Sequence, residues 1–142
     1  MRIADVLAIK GAAVITVASA TTVTQLLDAL AQHNIGAVLV SDGERLQGIV
    51  SERDVVRALH ERGPATLNAP VHTIMADDVV TCAAQDTVDA VMTTMTERRI
   101  RHLPVMQDGS VIGIVSIGDV VKNHVAQLES DREQLESYIV QG

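Results

Sequence analysis

The sequence predicts a mixed α/β protein made of two copies of one unit, each with the order strand, helix, strand, strand, helix. The chain matches itself at an offset of 65 positions, and residues 14–60 share 14 of 47 positions with residues 79–125 without a gap. Short β-branched runs alternate with helical patterns in both copies. In each copy an Asp-Gly pair separates two apolar runs, which indicates a hairpin.

Each copy is predicted to begin with a strand and a helix. Residues 14–17 and 79–82 are mostly β-branched and predict strands. Thr22 and Gln25 have the spacing of a capping box, which predicts a helix start at the next residue. Apolar residues then recur at helical spacing in both copies, at Val23, Leu26, Leu27 and Leu30 and at Val88, Val91, Met92 and Met95.

A hairpin and a second helix complete each copy. The hairpin strands are predicted at residues 37–40, 46–50, 103–105 and 111–115. A helix then begins after Ser51 and after Ser116, and the later one is predicted to run to about Val140, roughly 36 Å.

The predicted domain boundary lies in a segment with two prolines, one glycine and no apolar periodicity. We predict a first domain at residues 1–62, a linker at 63–70, a second domain at 71–126 and a helical extension at 127–142. A copy of about 60 residues without a core aromatic side chain buries little apolar surface, so the copies are expected to pack face to face.

Composition narrows the possible partners. The net charge is −7, and the chain has no Trp, no Phe and one Tyr. Long nucleic acids are therefore excluded as expected partners, because they are bound through excess positive charge or aromatic stacking. No apolar run approaches the roughly 20 residues that span a bilayer. The single cysteine, Cys82, is predicted to be a buried strand thiol, and we expect a cytoplasmic protein without a membrane partner.

The best-defined shared element is Gly-Ile-Val-Ser-x-x-Asp, at residues 48–54 and 113–119. A serine at the N-cap with an aspartate three residues later satisfies backbone N–H groups and complements the helix dipole. The same pattern suits a ligand, because a helix N-terminus attracts an anion and a carboxylate can accept hydrogen bonds from a vicinal diol. Both interpretations are open at this point.

These motifs resemble those of a known family. Two strand-helix-strand-strand-helix copies that carry this motif, with Ile100-x-x-Leu103-Pro104-Val105 before the second one, look like a tandem pair of cystathionine-β-synthase (CBS) domains, a Bateman module. The resemblance covers residue 1 to about residue 126. It implies a regulatory module that binds an adenosine ligand such as AMP, ADP or ATP and then changes its conformation or its affinity for a partner.

The resemblance also implies roles for single residues. The motif serine would contact phosphate and the motif aspartate would hold the ribose hydroxyls, so that Ser51 with Asp54 forms one site and Ser116 with Asp119 the other. The adenine would lie between aliphatic side chains beside the first strand of each copy, at Val14, Thr16, Val79 and Thr81.

Positive charge is concentrated in the second copy, where residues 98–102 read Arg-Arg-Ile-Arg-His. Arg98 and Arg99 suit a solvated helix end and a ligand contact equally well. We expect Arg101 and His102, at the start of a predicted strand, to contact phosphate, as the resemblance also implies. Arg53, inside the first motif, is a further candidate, and the two sites are therefore expected to be unequal.

No pattern indicates an active site or a metal site, so we predict a non-enzyme with no catalytic residue, no metal and no obligatory cofactor. Apolar residues continue along the predicted C-terminal helix, which favours a homodimer or contact with a regulated protein partner. These residues are Val121, Val125, Leu128, Leu135 and Ile139. The alternative to a ligand sensor is a dimeric interaction scaffold in which one or both nucleotide sites are vestigial.

Overall fold

The computed structural model describes residues 1–43 and 45–141, which contain five α-helices and six strands. The helices are α1 (Ile3–Lys10), α2 (Val23–His33), α3 (Glu52–Arg62), α4 (Val88–Arg98) and α5 (Ile117–Gln141). The strands are β1 (Thr16–Val17), β2 (Ala37–Ser41), β3 (Leu46–Ser51), β4 (Cys82–Ala83), β5 (His102–Gln107) and β6 (Ser110–Ser116). Short 3₁₀ helices lie at Pro64–Asn68 and Val71–Thr73. The predicted mixed α/β class and the long C-terminal helix are confirmed.

The two sheets repeat one topology. In each sheet the first strand runs parallel to the second and the second runs antiparallel to the third, in the orders β1-β2-β3 and β4-β5-β6. Val17 pairs with Val40 and Cys82 pairs with Val105, so the register reproduces the offset found in the sequence. The first strands are shorter than predicted, and Val79 and Thr81 precede β4.

The second hairpin forms as its turn residues predict. Asp108 and Gly109 both have positive φ, at 51° and 79°, which is the conformation that a two-residue type I′ turn requires. In the first hairpin the predicted Asp42-Gly43 turn is followed by Glu44, which lies outside the described residues. The Asp42 carboxylate accepts hydrogen bonds from the backbone N–H and hydroxyl of Ser19.

The chain divides into two compact units, and each of them contains one of the two sheets. The first unit is residues 14–79, and the second combines residues 1–13 with the chain from Val80 onward. Helix α1 buries Ile3 and Val6 completely in the core of the second unit. The short helix that precedes the second copy buries Val71 completely in the core of the first unit. Each segment that leads into one copy therefore belongs to the core of the other.

Helix α1 is followed by a segment that lies outside the core. Residues 11–13 are exposed, and Gly11 ends the helix with a φ of +97°. The apolar face of α1 is held by the second unit, where the Ile3 N–H donates to the carbonyl of Asp86 at 2.9 Å.

The segment predicted as a linker, residues 63–70, lies within the first unit and contacts its core. Residues 64–68 form a 3₁₀ helix, and the side chain of Thr66 is buried with its hydroxyl donating to the carbonyl of Ala58 at 3.2 Å. Leu67 packs against the core of the first unit. Gly63 and Pro64 lie at the start of this short helix.

Cys82 is a buried thiol in β4, as predicted. Burial, with a smaller contribution from the negative charge of Asp86, raises its pKa to about 11. The thiolate is therefore scarce near neutral pH, and the side chain acts as a small apolar group in the core.

Within the described residues, no helix combines the length and the apolar character needed to cross a membrane.

Candidate functional site

Each Gly-Ile-Val-Ser-x-x-Asp motif runs from the end of a strand into a helix. Residues 48–54 connect β3 to α3, and residues 113–119 connect β6 to α5. The glycine in each motif lies against a lead-in segment. A Cβ atom on Gly48 would meet the backbone oxygen of Ala76 at 2.8 Å, and one on Gly113 would meet Cδ2 of Leu7 at 2.7 Å. Glycine is therefore what allows the lead-in segments to approach the motifs.

In the first motif, Ser51 caps helix α3. The Asp54 N–H donates to the Ser51 hydroxyl at 3.4 Å, and the Ser51 N–H donates to the Asp54 carboxylate at 2.8 Å. The Ser51 hydroxyl also donates to the same carboxylate oxygen at 3.0 Å. The capping interpretation of the motif is thus correct, and both side chains remain partly exposed.

The second motif repeats this cap and adds a lysine. The Ser116 N–H donates to Asp119 Oδ2 at 2.9 Å, and the Asp119 N–H donates to the Ser116 hydroxyl at 3.1 Å. The ammonium of Lys10, at the end of α1, lies 2.5 Å from the same Oδ2 and 2.8 Å from the carbonyl oxygen of Ile114.

The charge state of Asp119 follows from these contacts. Burial raises the pKa of Asp119, but hydrogen bonds from Lys10 and Ser116, together with the attraction of the ammonium, outweigh that effect. The pKa of the carboxyl therefore lies below its ordinary value, and the group is ionised at neutral pH.

The structure places Arg101 and His102 beside the second motif. His102 pairs with Ser116 across β5 and β6, and the N–H of Ile117 donates to the carbonyl of Arg101 at 2.8 Å. Arg101 is exposed and His102 is half-buried.

The first unit has the same backbone arrangement with different side chains. Ala37 pairs with Ser51, and the N–H of Glu52 donates to the carbonyl of Gly36 at 3.0 Å. Equivalent backbone positions therefore carry glycine and alanine beside one motif and arginine and histidine beside the other.

The remaining predicted residues are more dispersed. Thr16 is exposed on β1, across β2 from the motif strand and so roughly 10 Å from it at two strand spacings. Val14 and Val79 are half-buried in the first unit, and Thr81 is exposed in the second. Arg53 is exposed in the first turn of α3.

Two arginines of the positive segment occupy a helix end. Arg98 is exposed in the last turn of α4, and Arg99 caps that helix with a φ of 55°. This position favours the interpretation of both as basic residues that complement a helix C-terminus.

Lys10 is not among the site residues that the sequence predicts. A basic residue followed by glycine is an ordinary helix ending, so the local pattern carries no sign of a site. Lys10 reaches Asp119 only because α1 docks on the second unit, and 109 positions separate the two residues. Among residues 1–43 and 45–141, no group of three or more His, Cys, Asp or Glu side chains could hold a metal ion.

Two topologically identical units, each with a capped Ser-x-x-Asp helix start, define a tandem α/β repeat protein. The profile of the CBS domain matches residues 5–61 and 71–125, and the chain belongs to the CBS domain family. A mitochondrial CBS domain-containing protein of Arabidopsis thaliana, CBSX3, is 38% identical over 126 residues, which cover 85% of this chain and 61% of that protein. The chain thus spans less than two thirds of that relative.

Solved structures agree with this assignment. A CBS-domain containing protein from Agrobacterium tumefaciens is 40% identical, with a TM-score of 0.86 and coverage of 87% of this chain and 99% of that one. The CBS domain pair of protein MJ0100 is 25% identical, with a TM-score of 0.78 and coverage of 89% and 98%. That domain pair was solved in complex with 5′-methylthioadenosine and S-adenosyl-L-methionine.

Proposed function

We propose that this chain is a regulatory module, without catalytic activity of its own, that binds an adenosine-containing small molecule. The observation that carries the proposal is the pair of partly exposed aspartates, Asp54 and Asp119, each fixed at a helix start by a serine cap. The two ligands of the MJ0100 domain pair share an adenosine group, which supports the same ligand class here.

The motif residues have separate roles in this proposal. The aspartate carboxylate accepts hydrogen bonds from the ribose hydroxyls, and the serine-capped helix start contacts phosphate through its N–H groups. Arg101 and His102 supply positive charge for phosphate beside the second motif, and Arg53 supplies it beside the first. The adenine lies toward the first strand of each copy, at the positions of Val14, Thr16, Val79 and Thr81. AMP, ADP and ATP are the ligands that use all of these groups.

Calorimetric titration tests the proposal. Ligand that copurifies is removed first, and the protein is then titrated with AMP, ATP, 5′-methylthioadenosine and S-adenosyl-L-methionine. Asp54→Asn and Asp119→Asn are each expected to weaken binding at one site about tenfold or more, because a hydrogen bond to a charged group contributes about 1.5–3 kcal/mol. Asp28→Asn, on the exposed side of α2, is the matched control and should leave binding unchanged.

The proposal is wrong if ligand-free protein gives neither heat nor a thermal shift with any of these four compounds. Circular dichroism of the variants separates loss of a ligand contact from loss of the helix cap, because each motif aspartate also stabilises the start of a helix.

A dimeric interaction scaffold is a second candidate, and helix α5 favours it. Residues 128–141 are all exposed, so the helix continues well past Val120 and Asn123, its buried residues. Exposed apolar side chains recur along it at spacings of four, three, seven and four, a pattern typical of a helix that pairs with another helix. These are Val121, Val125, Leu128, Leu135 and Ile139.

Light scattering during gel filtration tests this assembly. Wild-type protein is expected to elute as a dimer, and Leu128→Gln with Leu135→Gln is expected to give a monomer because it removes two apolar contacts from the seam. Ser130→Gln with Ser137→Gln, at the same spacing on the opposite helix face, should remain dimeric. A wild-type protein that is monomeric at every concentration would contradict the dimer.

A further inference from the structure

The two motif aspartates differ in their partners. Within the described part of the chain, the hydrogen bonds to the Asp54 carboxylate come from Ser51. The Asp119 carboxylate is bonded by Ser116 and also forms an ion pair with Lys10. The Lys10 and Asp119 side chains are 32% and 27% exposed, so a small molecule in solvent can reach the pair.

Helix α1 holds Lys10 in this position. Ile3, Val6 and Leu7 anchor the helix in the core of the second unit, and Leu7 lies directly over Gly113. Lys10 is three residues after Leu7 and therefore projects from the same helix face, one turn further on. The ammonium also donates to the carbonyl of Ile114, a second contact that fixes it beside the motif.

The corresponding lead-in of the first unit carries the opposite charge. Met75 lies over Gly48 as Leu7 lies over Gly113, and the residues that follow Met75 include Asp77 and Asp78 but no lysine. The second motif thus has a lysine on its aspartate with Arg101 and His102 nearby, whereas the segment after Met75 in the first unit carries negative residues.

We propose that Lys10 makes the second motif selective for phosphorylated adenosine ligands, an inference that rests on the proposed function. Lys10 and Ser116 both contact Oδ2 of Asp119, so a vicinal diol that takes both oxygens of this carboxylate displaces the ammonium from Oδ2. An uncharged nucleoside offers the lysine no replacement anion, so its binding breaks the ion pair and leaves the ammonium with the Ile114 carbonyl and solvent. A nucleotide offers its phosphate, and the ammonium moves from carboxylate to phosphate and keeps a charge-assisted contact.

The test compares AMP with adenosine at the second motif alone. Asp54→Asn is the starting variant, so that the remaining binding reports the second motif, and Lys10→Met is added to remove the charge while keeping most of the alkyl chain. We expect AMP to bind at least tenfold more tightly than adenosine to the starting variant. Lys10→Met is expected to reduce that ratio about tenfold by weakening AMP and strengthening adenosine.

Two further variants serve as controls. Lys122→Met removes the same charge from an exposed position on α5 and should leave the ratio unchanged. Lys10→Arg keeps the charge and should preserve the preference for AMP, which separates an electrostatic role from a purely structural one.

Each outcome decides a specific point. An unchanged ratio in Lys10→Met overturns the role of Lys10 and leaves the proposed function intact. If the wild-type protein binds these ligands and Asp54→Asn does not, whether or not Lys10→Met is also present, then the second motif is not a site. That result also overturns the inference. If neither wild type nor Lys10→Met binds any adenosine compound, the proposed function fails as well.

Discussion

Replacing Ile3 with alanine is expected to lower the free energy of unfolding by about 2–5 kcal/mol. Ile3 is completely buried in the core of the second unit, although it lies near the N-terminus and before the first copy. Alanine would leave a cavity where α1 meets that core, and the backbone bond from Ile3 to Asp86 keeps the helix from moving in to fill it. Urea denaturation followed by circular dichroism measures the loss.

Ile9→Ala provides the matched control for this prediction. Ile9 lies on the same helix but is 69% exposed, so its replacement is expected to change stability by less than about 0.5 kcal/mol. Both substitutions change helix propensity in the same direction, and the difference between them therefore reports burial alone. Equally small losses in the two variants would show that α1 is not part of the core.

Gly48→Ala is expected to cost about 1–3 kcal/mol, and more than Gly113→Ala. The new Cβ would lie 2.8 Å from the backbone oxygen of Ala76. That oxygen accepts from the Ile49 N–H at 3.0 Å, and the Ala76 N–H donates to the Ile49 oxygen at 2.9 Å, so the Ala76 backbone is held in place. Sδ of Met75 is closer still to that Cβ, at 2.6 Å, but it belongs to a flexible side chain. At Gly113 all three closest atoms belong to the flexible Leu7 side chain, which can rotate away, and none is a backbone atom. Urea denaturation of both variants, side by side with wild type, measures the two losses.

The comparison between the two glycines is informative because the general effect of alanine in a strand is common to both. A loss at Gly113 equal to or greater than the loss at Gly48 would mean that the fixed carbonyl of Ala76 does not set the difference. In that case side-chain crowding by Leu7 and Met75 would dominate at both positions.

Features that depend on neighbouring residues were predictable from the sequence. The capping box at Thr22 and Gln25 forms as predicted, with bonds of 3.2 and 3.0 Å between each side chain and the other residue's N–H. The Asp108-Gly109 turn and the long helix α5 also form as predicted. In each case the interacting groups lie within a few positions along the chain or on one continuous periodic pattern.

The candidate site was predictable only in part. Ser51, Asp54, Ser116 and Asp119 were identified because each copy contains both members of the pair at a fixed spacing. Their mutual capping bonds follow from the same spacing. The ion pair of Lys10 with Asp119 was missed because it depends on where α1 docks, and no pattern near residue 10 indicates that position.

The sequence by itself determined the repeat, the order of strands and helices in each copy, and the two motifs, because periodicity and turn chemistry act over short distances. Only the tertiary structure decided which core each lead-in segment enters and which charged group contacts each motif. Hydrophobic burial is non-directional, so an apolar helix face such as that of α1 does not specify its own partner. Long-range packing determines which core the helix enters. The same packing gives the two otherwise equivalent motifs different electrostatic surroundings.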